Sequence, residues 1–255
     1  MNWASLDQGI LGPAFLAGLI VLSTHIPLGR RVLERGIIFI DLAIAQIAGL
    51  GVIAAHALES EPKSLAVQVA AFGAATTGAL ALYLAERRWP DLQEAIIGSI
   101  FVLAASAAIL LLANDPHGGE HLKNLLVGQI LWIDLPYLMP PALLSILVLL
   151  TWFLLKAARS TAAFYILFAV SITASVQLVG IYLVFASLII PALGARCYPA
   201  GRQLFVAAIT GTLGYAGGLA LSALYDLPSG PVIVWMLAMT ALLGAWMSRL
   251  RLFRP

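Results

Sequence analysis

Long apolar segments recur along the chain, and each is about long enough to cross a membrane as a helix. A helical crossing takes about 20 mainly apolar residues. Lipid-embedded backbone satisfies its hydrogen bonds within such helices, so the pattern predicts an all-α, polytopic integral membrane protein. The clear segments are residues 10–28, 36–58, 64–85, 95–113, 138–156, 203–224 and 231–248.

The composition argues against a soluble all-helical protein. Charged residues make up 10% of the chain and hydrophobic residues 62%, whereas an average soluble domain has about 25% and 45–50%. No polar tract is long enough for a soluble domain, so residues 1–255 are predicted to form a single transmembrane domain in contact with membrane lipid.

One further apolar tract, residues 161–195, is too long for one crossing and barely long enough for two. We expect a break near Gly180, which gives either two short crossings or one crossing and a re-entrant piece. The chain is therefore predicted to have eight to nine transmembrane helices.

The basic residues predict an orientation with the N-terminus outside and the C-terminus in the cytoplasm. In this orientation 12 of the 14 lysines and arginines are cytoplasmic, and only Lys63 and Lys123 are outside. This orientation requires an odd number of crossings. Nine crossings satisfy it if residues 161–195 cross twice. The competing count is eight full spans with a re-entrant hairpin. The twelve are Arg30, Arg31, Arg35, Arg87, Arg88, Lys156, Arg159, Arg196, Arg202, Arg249, Arg251 and Arg254.

Asp41 is a carboxylate predicted to lie one to two turns into the second span. Insertion of such a group costs about 2.5–3.5 kcal/mol, so it usually faces a bundle interior, a partner or a water-filled path. It is a candidate cation ligand or relay. The structural alternatives are an ion pair, for which Arg35 is close in sequence, and a helix N-terminal carboxylate stabilised by the dipole.

Gln46 and His56 are weaker candidates on the same helix. Gln46 lies about 140° around the helix from Asp41, so it more readily bonds across to another helix. His56 lies about 22 Å further along the axis, near the outer end of the span, where it could receive an entering cation or simply cap the helix.

The polar stretch 114–124 contains "HGGEH", with His117, Glu120 and His121. Imidazole and carboxylate are ligands for zinc, manganese and related ions. The two glycines make a regular helix doubtful at this point. The stretch is predicted to be external, and it either contacts metal, is a solvated loop, or docks another protein.

Enzyme motifs are absent from the sequence. It has no G-x-x-x-x-G-K-[ST], so it binds no nucleotide through a P-loop, and it has no G-x-S-x-G or H-E-x-x-H. We therefore predict a non-enzymatic protein without cofactor and without a nucleic-acid partner.

Three stretches, in the right order, resemble the membrane subunits of zinc/manganese ABC importers. They are "RRVLERGIIFIDLAIAQIAGLGV" (30–52), "AVSITASVQLVGIYLVFASLIIPALGAR" (169–196) and "LYDLPSGPVIV" (224–234). The resemblance implies a homodimeric permease of the bacterial plasma (inner) membrane, with a separate cytoplasmic ATPase and a soluble extracytoplasmic metal-binding protein. It implies that the cargo is a divalent metal, zinc first and manganese next.

The resemblance also implies that Pro191 to Arg202, with Gly194 and Arg196, docks on the ATPase. We expect this basic segment to form a short helix across the membrane surface. Many family members carry a histidine four residues after the aspartate of the second span, but position 45 here is alanine. Either Asp41 acts with ligands from other helices, or the cargo is held more weakly or in another form. The HGGEH loop could compensate as a capture site.

Two rival functions remain open at this level. The first is a stand-alone secondary transporter or channel, proton-coupled through Asp41, although few intramembrane ionisable residues are available for a relay. The second is a scaffold that organises a membrane complex. Co-purification of an ATPase would favour the importer over the stand-alone transporter. Transport that is intact in an Asp41→Asn variant would favour the scaffold.

Overall fold

The computed structural model describes residues 8–58, 65–113, 115–154 and 160–252. All regular structure in these ranges is helical, which confirms the predicted all-α class. Pro90–Leu92 and Ile130–Trp132 form short 3₁₀ turns. The helices are α1 (Gln8–Arg35), α2 (Ile40–Leu58), α3 (Leu65–Arg88), α4 (Gln93–Leu112), α5 (Gly118–Val127), α6 (Leu135–Phe153), α7 (Thr161–Val179), α8 (Ile181–Ala195), α9 (Ala200–Tyr225) and α10 (Ser229–Leu252).

Seven helical segments of the described chain are long and apolar enough to cross a membrane, and they involve α1, α3, α4, α6, α7, α9 and α10. The apolar parts of α2 and α8 are shorter. The multi-pass prediction is confirmed, whereas the count of eight to nine and the orientation remain predictions. Four of the basic residues used for the orientation, Lys63, Lys156, Arg159 and Arg254, lie outside the described residues.

The first helix is longer than the predicted span 10–28. α1 continues through Pro27 to Arg35, because the fixed φ of proline is compatible with a helix even though its missing N–H removes one hydrogen bond. Gly36 then adopts a left-handed conformation with φ 75° and its N–H donates to the Val32 carbonyl at 3.0 Å. A short turn leads from there into α2.

The break predicted near Gly180 is present, since α7 ends at Val179 and α8 begins at Ile181. Gly180 has φ 80° and Gly128 has φ 70°. With ψ 163°, Gly180 is in a region essentially confined to glycine. The backbones of the two glycines lie directly against each other. Neither position therefore has room for a side chain.

One compact unit comprises α1, residues 127–146 and the chain from 178 onwards. Its central element is α8, which packs against α1, α9 and α10. Eleven of the fifteen α8 residues are buried. The packing is close because Gly29 of α1 lies against the Leu188 carbonyl, and Gly194 lies against Ala241 of α10.

The second unit comprises residues 37–126 and 147–177. Within it α2 packs against α3 and α4. The start of α7 is joined to α4 by a hydrogen bond from Gln93 Nε2 to the Tyr165 hydroxyl at 2.8 Å. The Tyr165 ring also lies 5.9 Å from the ring of Tyr83 in α3, so an aromatic contact fixes α7 on the same helices.

Candidate functional site

Asp41 lies in the first turn of α2, one residue after the helix begins at Ile40. This is nearer the helix end than predicted, because α1 and its turn extend to residue 39. A carboxylate at a helix N-terminus is stabilised by the helix dipole. Asp41 Oδ1 accepts a hydrogen bond from the Leu42 N–H at 2.8 Å.

The Asp41 carboxylate is covered by its own chain, and the residue is only 1% exposed. Its second oxygen, Oδ2, has no hydrogen-bond partner within the described ranges. The ion pairs of the described residues do not include Asp41, so the pairing with Arg35 considered from sequence is not formed. A buried carboxylate oxygen without a partner is energetically costly and available to a cation.

Gln46 lies further along α2 and is also buried, at 5% exposed. Its five-residue separation from Asp41 places it about 140° around the helix. The two side chains therefore lie on different faces, both covered. His56 is near the other end of α2, and the placement of its side chain lies outside what the structure describes.

The HGGEH motif forms the start of a helix, although its two glycines make a regular helix doubtful from the sequence. α5 begins at Gly118, directly after a turn in which Asp115 Oδ1 accepts a hydrogen bond from the His117 N–H at 2.9 Å. Asp115 thereby accepts from the N–H of the residue just before the helix, as in an Asx turn, and its carbonyl accepts from the Gly118 N–H at 3.0 Å. Asp115 is the sequence signal that indicates this start, and it outweighs the two glycines.

The ionisable side chains of this motif form two separate pairs rather than one cluster. His117 Nδ1 lies 3.8 Å from Glu120 Oε2, and His121 Nε2 lies 3.7 Å from Asp115 Oδ2. Both pairs are exposed, and no group of three or more such ligands within the described residues is arranged to hold a metal ion. A role of the motif in metal capture remains a prediction.

The segment expected to contact an ATPase differs from the predicted surface helix. Pro191 and Gly194 are buried in the second half of α8 rather than in a separate helix. The reason is that α8 continues to Ala195, where its packing offsets the hydrogen bond that Pro191 lacks. Arg196 and Arg202 are exposed at the turn before α9 and in its first turn, so they remain the accessible part of the segment.

The "YDLPSGP" stretch, residues 225–231, contains the turn between α9 and α10. Asp226 ends α9 in the left-handed conformation, with φ 52°. The Ser222 hydroxyl closes the turn by donating to the Leu227 carbonyl at 2.6 Å. This aspartate therefore has a local structural role that an asparagine could also fill.

Sequence reasoning missed His25, which is fully buried in α1 at 0% exposed. Its Nδ1 lies 3.2 Å from the Thr24 hydroxyl oxygen, whereas Nε2 has no hydrogen-bond partner among the residues described. The signal was present, because a histidine inside a membrane-spanning segment is by default a functional candidate.

Comparison with known proteins gives consistent results over nearly the whole chain. Residues 7–160 and 155–248 match the ABC 3 transport family. The fold is similar to that of PsaBC from Streptococcus pneumoniae, solved in complex with Fab, with TM-score 0.76, 19% identity, and coverage of 98% of this chain and 100% of that chain. It is also similar to a putative metal-chelate type ABC transporter in an inward-facing conformation, with TM-score 0.63, 18% identity, and coverage of 98% and 89%.

Proposed function

The chain belongs to the ABC 3 transport family, and from this premise we propose that it imports zinc, or in second place manganese, as a homodimer. As a family member it is the permease of a metal-type ABC importer and a multi-pass protein of the bacterial plasma membrane. It has no ATP-binding cassette, because the ATPase of these transporters is a separate subunit. The proposed partners are this cytoplasmic ATPase and an extracytoplasmic metal-binding protein.

The observation that carries the metal proposal is the buried carboxylate of Asp41. Its Oδ2 has no partner in the described part of the chain, and a cation can supply the missing interaction. A carboxylate oxygen is a suitable ligand for manganese and zinc. Gln46 is buried on the same helix. Its amide oxygen is a further candidate metal ligand if its rotamer or the position of the helix changes.

The burial of Asp41 implies that helices move during transport. With 1% of the residue exposed, a cation reaches the carboxylate only when the covering helices separate. Alternating access supplies such movement, since closure of the paired ATPases on ATP would open the path between the two permeases to each side in turn. The site should bind its ion weakly enough for release, because a deep energy minimum would stall transport.

Reconstitution tests the proposal directly. The permease, its ATPase and its binding protein are placed in vesicles, and uptake of Zn²⁺ and Mn²⁺ is measured with and without ATP. ATP-dependent uptake of either ion is expected. Uptake by the permease alone, driven by a proton gradient, would instead identify a secondary transporter.

We predict that the double variant His117→Ala, His121→Ala raises the half-saturating metal concentration of uptake about 10-fold, as loss of two imidazole ligands would. The change should leave folding intact, since both side chains are exposed at 74% and 56%. Uptake is measured over a range of metal concentrations at saturating ATP. Lys123→Ala, on the same helix, is the control. Equal uptake curves for the unmodified protein, the double variant and the control would show that the motif has no role in metal capture.

We predict that the double variant Arg196→Glu, Arg202→Glu lowers the amount of ATPase that co-purifies by about 10-fold or more, because hot-spot residues at interfaces, among which arginine is enriched, contribute about 2 kcal/mol or more. Both residues are exposed beside the α8–α9 turn. Arg88→Glu, an exposed basic residue at the end of α3, is the matched control. Undiminished co-purification would show that this turn is not the ATPase contact.

A further inference from the structure

His25 lies in the interior of a membrane-spanning helix and has no role in the function proposed above. The residue is 0% exposed and lies within the candidate span Gly9–Arg35. It is roughly 15 Å from the Arg35 end of α1 at 1.5 Å per residue. An ionisable side chain at this depth is costly and typically marks an ion or ligand path.

The imidazole is on the face of α1 that packs against α8 and α9. Gly18, Leu22, His25 and Gly29 are spaced by four, three and four residues, which places them on one helix face. The other three members of this face are in close contact with the neighbouring helices. These contacts are with Tyr215 and Gly211 of α9 and Leu188 of α8.

The surroundings of His25 differ at its two ring nitrogens. The Thr24 hydroxyl can donate to the Val21 carbonyl, from which its oxygen is 3.2 Å away. Thr24 Oγ1 also lies 3.2 Å from His25 Nδ1. When the hydroxyl donates to Val21, this oxygen accepts from Nδ1–H, and in that tautomer the lone pair is on Nε2. That nitrogen is buried without a partner in the ranges the structure describes.

This arrangement is the one that metal-binding histidines use. One ring N–H is held by a local oxygen acceptor, which fixes the tautomer and the ring orientation, and the other nitrogen is directed at the metal. We infer that His25 Nε2 is a ligand for the transported cation at the junction of α1, α8 and α9. The inference rests on the proposed metal transport. Since imidazole suits zinc better than manganese, it also favours zinc as the cargo.

The test uses substitutions that separate the two ring nitrogens in the reconstituted transporter. His25→Asn keeps a donor near the position of Nδ1 and removes Nε2, whereas Thr24→Val keeps Nε2 and removes the acceptor of Nδ1. We expect His25→Asn to raise the half-saturating Zn²⁺ concentration and to weaken Co²⁺ binding to the purified transporter, each by about 10-fold or more. Thr24→Val should have a smaller effect on both.

A folded His25→Asn protein with unchanged Co²⁺ affinity and unchanged half-saturation would overturn the inference. If His25→Asn does not fold, nitrogen NMR of the histidine-labelled permease with His117→Ala and His121→Ala decides the question. In that variant only His25 and His56 can give an Nε2 signal. Addition of Zn²⁺ should shift one of these signals, and Thr24→Val should perturb the same signal. The absence of any shift would overturn the inference. Failure of the unmodified transporter to take up any metal would count against the proposed function instead.

Discussion

Replacing Asp41 with asparagine should reduce metal uptake by about 100-fold at low metal concentration, because loss of even an outer-shell partner of a metal site costs about 10–100-fold. The amide keeps an oxygen that can accept from the Leu42 N–H, the bond now made by Oδ1 at 2.8 Å. It removes the negative charge that would attract the cation. The variant therefore separates the helix-capping contribution from cation binding.

The measurement is initial uptake of Zn²⁺ and Mn²⁺ into vesicles containing the complete transporter. Asp226→Asn is the matched control, since it makes the same chemical change at a left-handed turn position where asparagine is well tolerated. If Asp41→Asn and Asp226→Asn both transport at the original rate, Asp41 has only a structural role. A scaffold function would predict that outcome.

Replacing Gly180 with alanine should destabilise the protein by about 2–6 kcal/mol, from about 1–3 kcal/mol for a backbone conformation (φ 80°, ψ 163°) essentially confined to glycine and about 1–3 kcal/mol for overpacking. The added Cβ would lie 2.8 Å from the Cα of Gly128 and 2.7 Å from the carbonyl carbon of Val127. Both are backbone atoms and cannot move aside cheaply. Thermal and SDS-induced unfolding of the purified permease would measure the loss.

Two other glycines separate the causes of this loss. Gly36 has φ 75° but open space where the Cβ of an alanine would lie, so Gly36→Ala should cost only the conformational part. Gly98, inside α4, has neither constraint, and Gly98→Ala should be neutral or stabilising by up to about 1 kcal/mol. Equal stability of the Gly36 and Gly180 variants would show that the contact with Gly128 is unimportant.

Much of the fold follows from the sequence because apolar length alone defines a membrane helix. The sequence therefore predicts the helical class, most of the spans and the break at Gly180. The end of α1 was not, since the sequence does not show whether Pro27 ends a helix or is accommodated within it. The same ambiguity applies to Pro191, which lies within α8 rather than beginning a new element.

The candidate site is harder to predict from the sequence, because its geometry depends on tertiary packing. The sequence shows that Asp41 is a carboxylate in an apolar segment, but not that its Oδ2 lacks a partner among the described residues. The presence of His25 in a predicted span was visible in the sequence, but its complete burial was not, because α8 and α9, which pack against α1, are far away in the sequence. Gly18 and Gly29 lie on the same helix face as His25 and could have indicated that face, since small residues mark close helix packing.

The tight packing of α8 has a consequence for how a displacement spreads through its unit. At Gly29 and Leu188, and again at Gly194 and Ala241, neighbouring helices touch without intervening long side chains. Because few rotamers are available to absorb a displacement there, we expect movement of α8 to be passed on to α1 and α10. A force applied at the turn after Ala195 would therefore shift three helices in concert, including the one that bears His25.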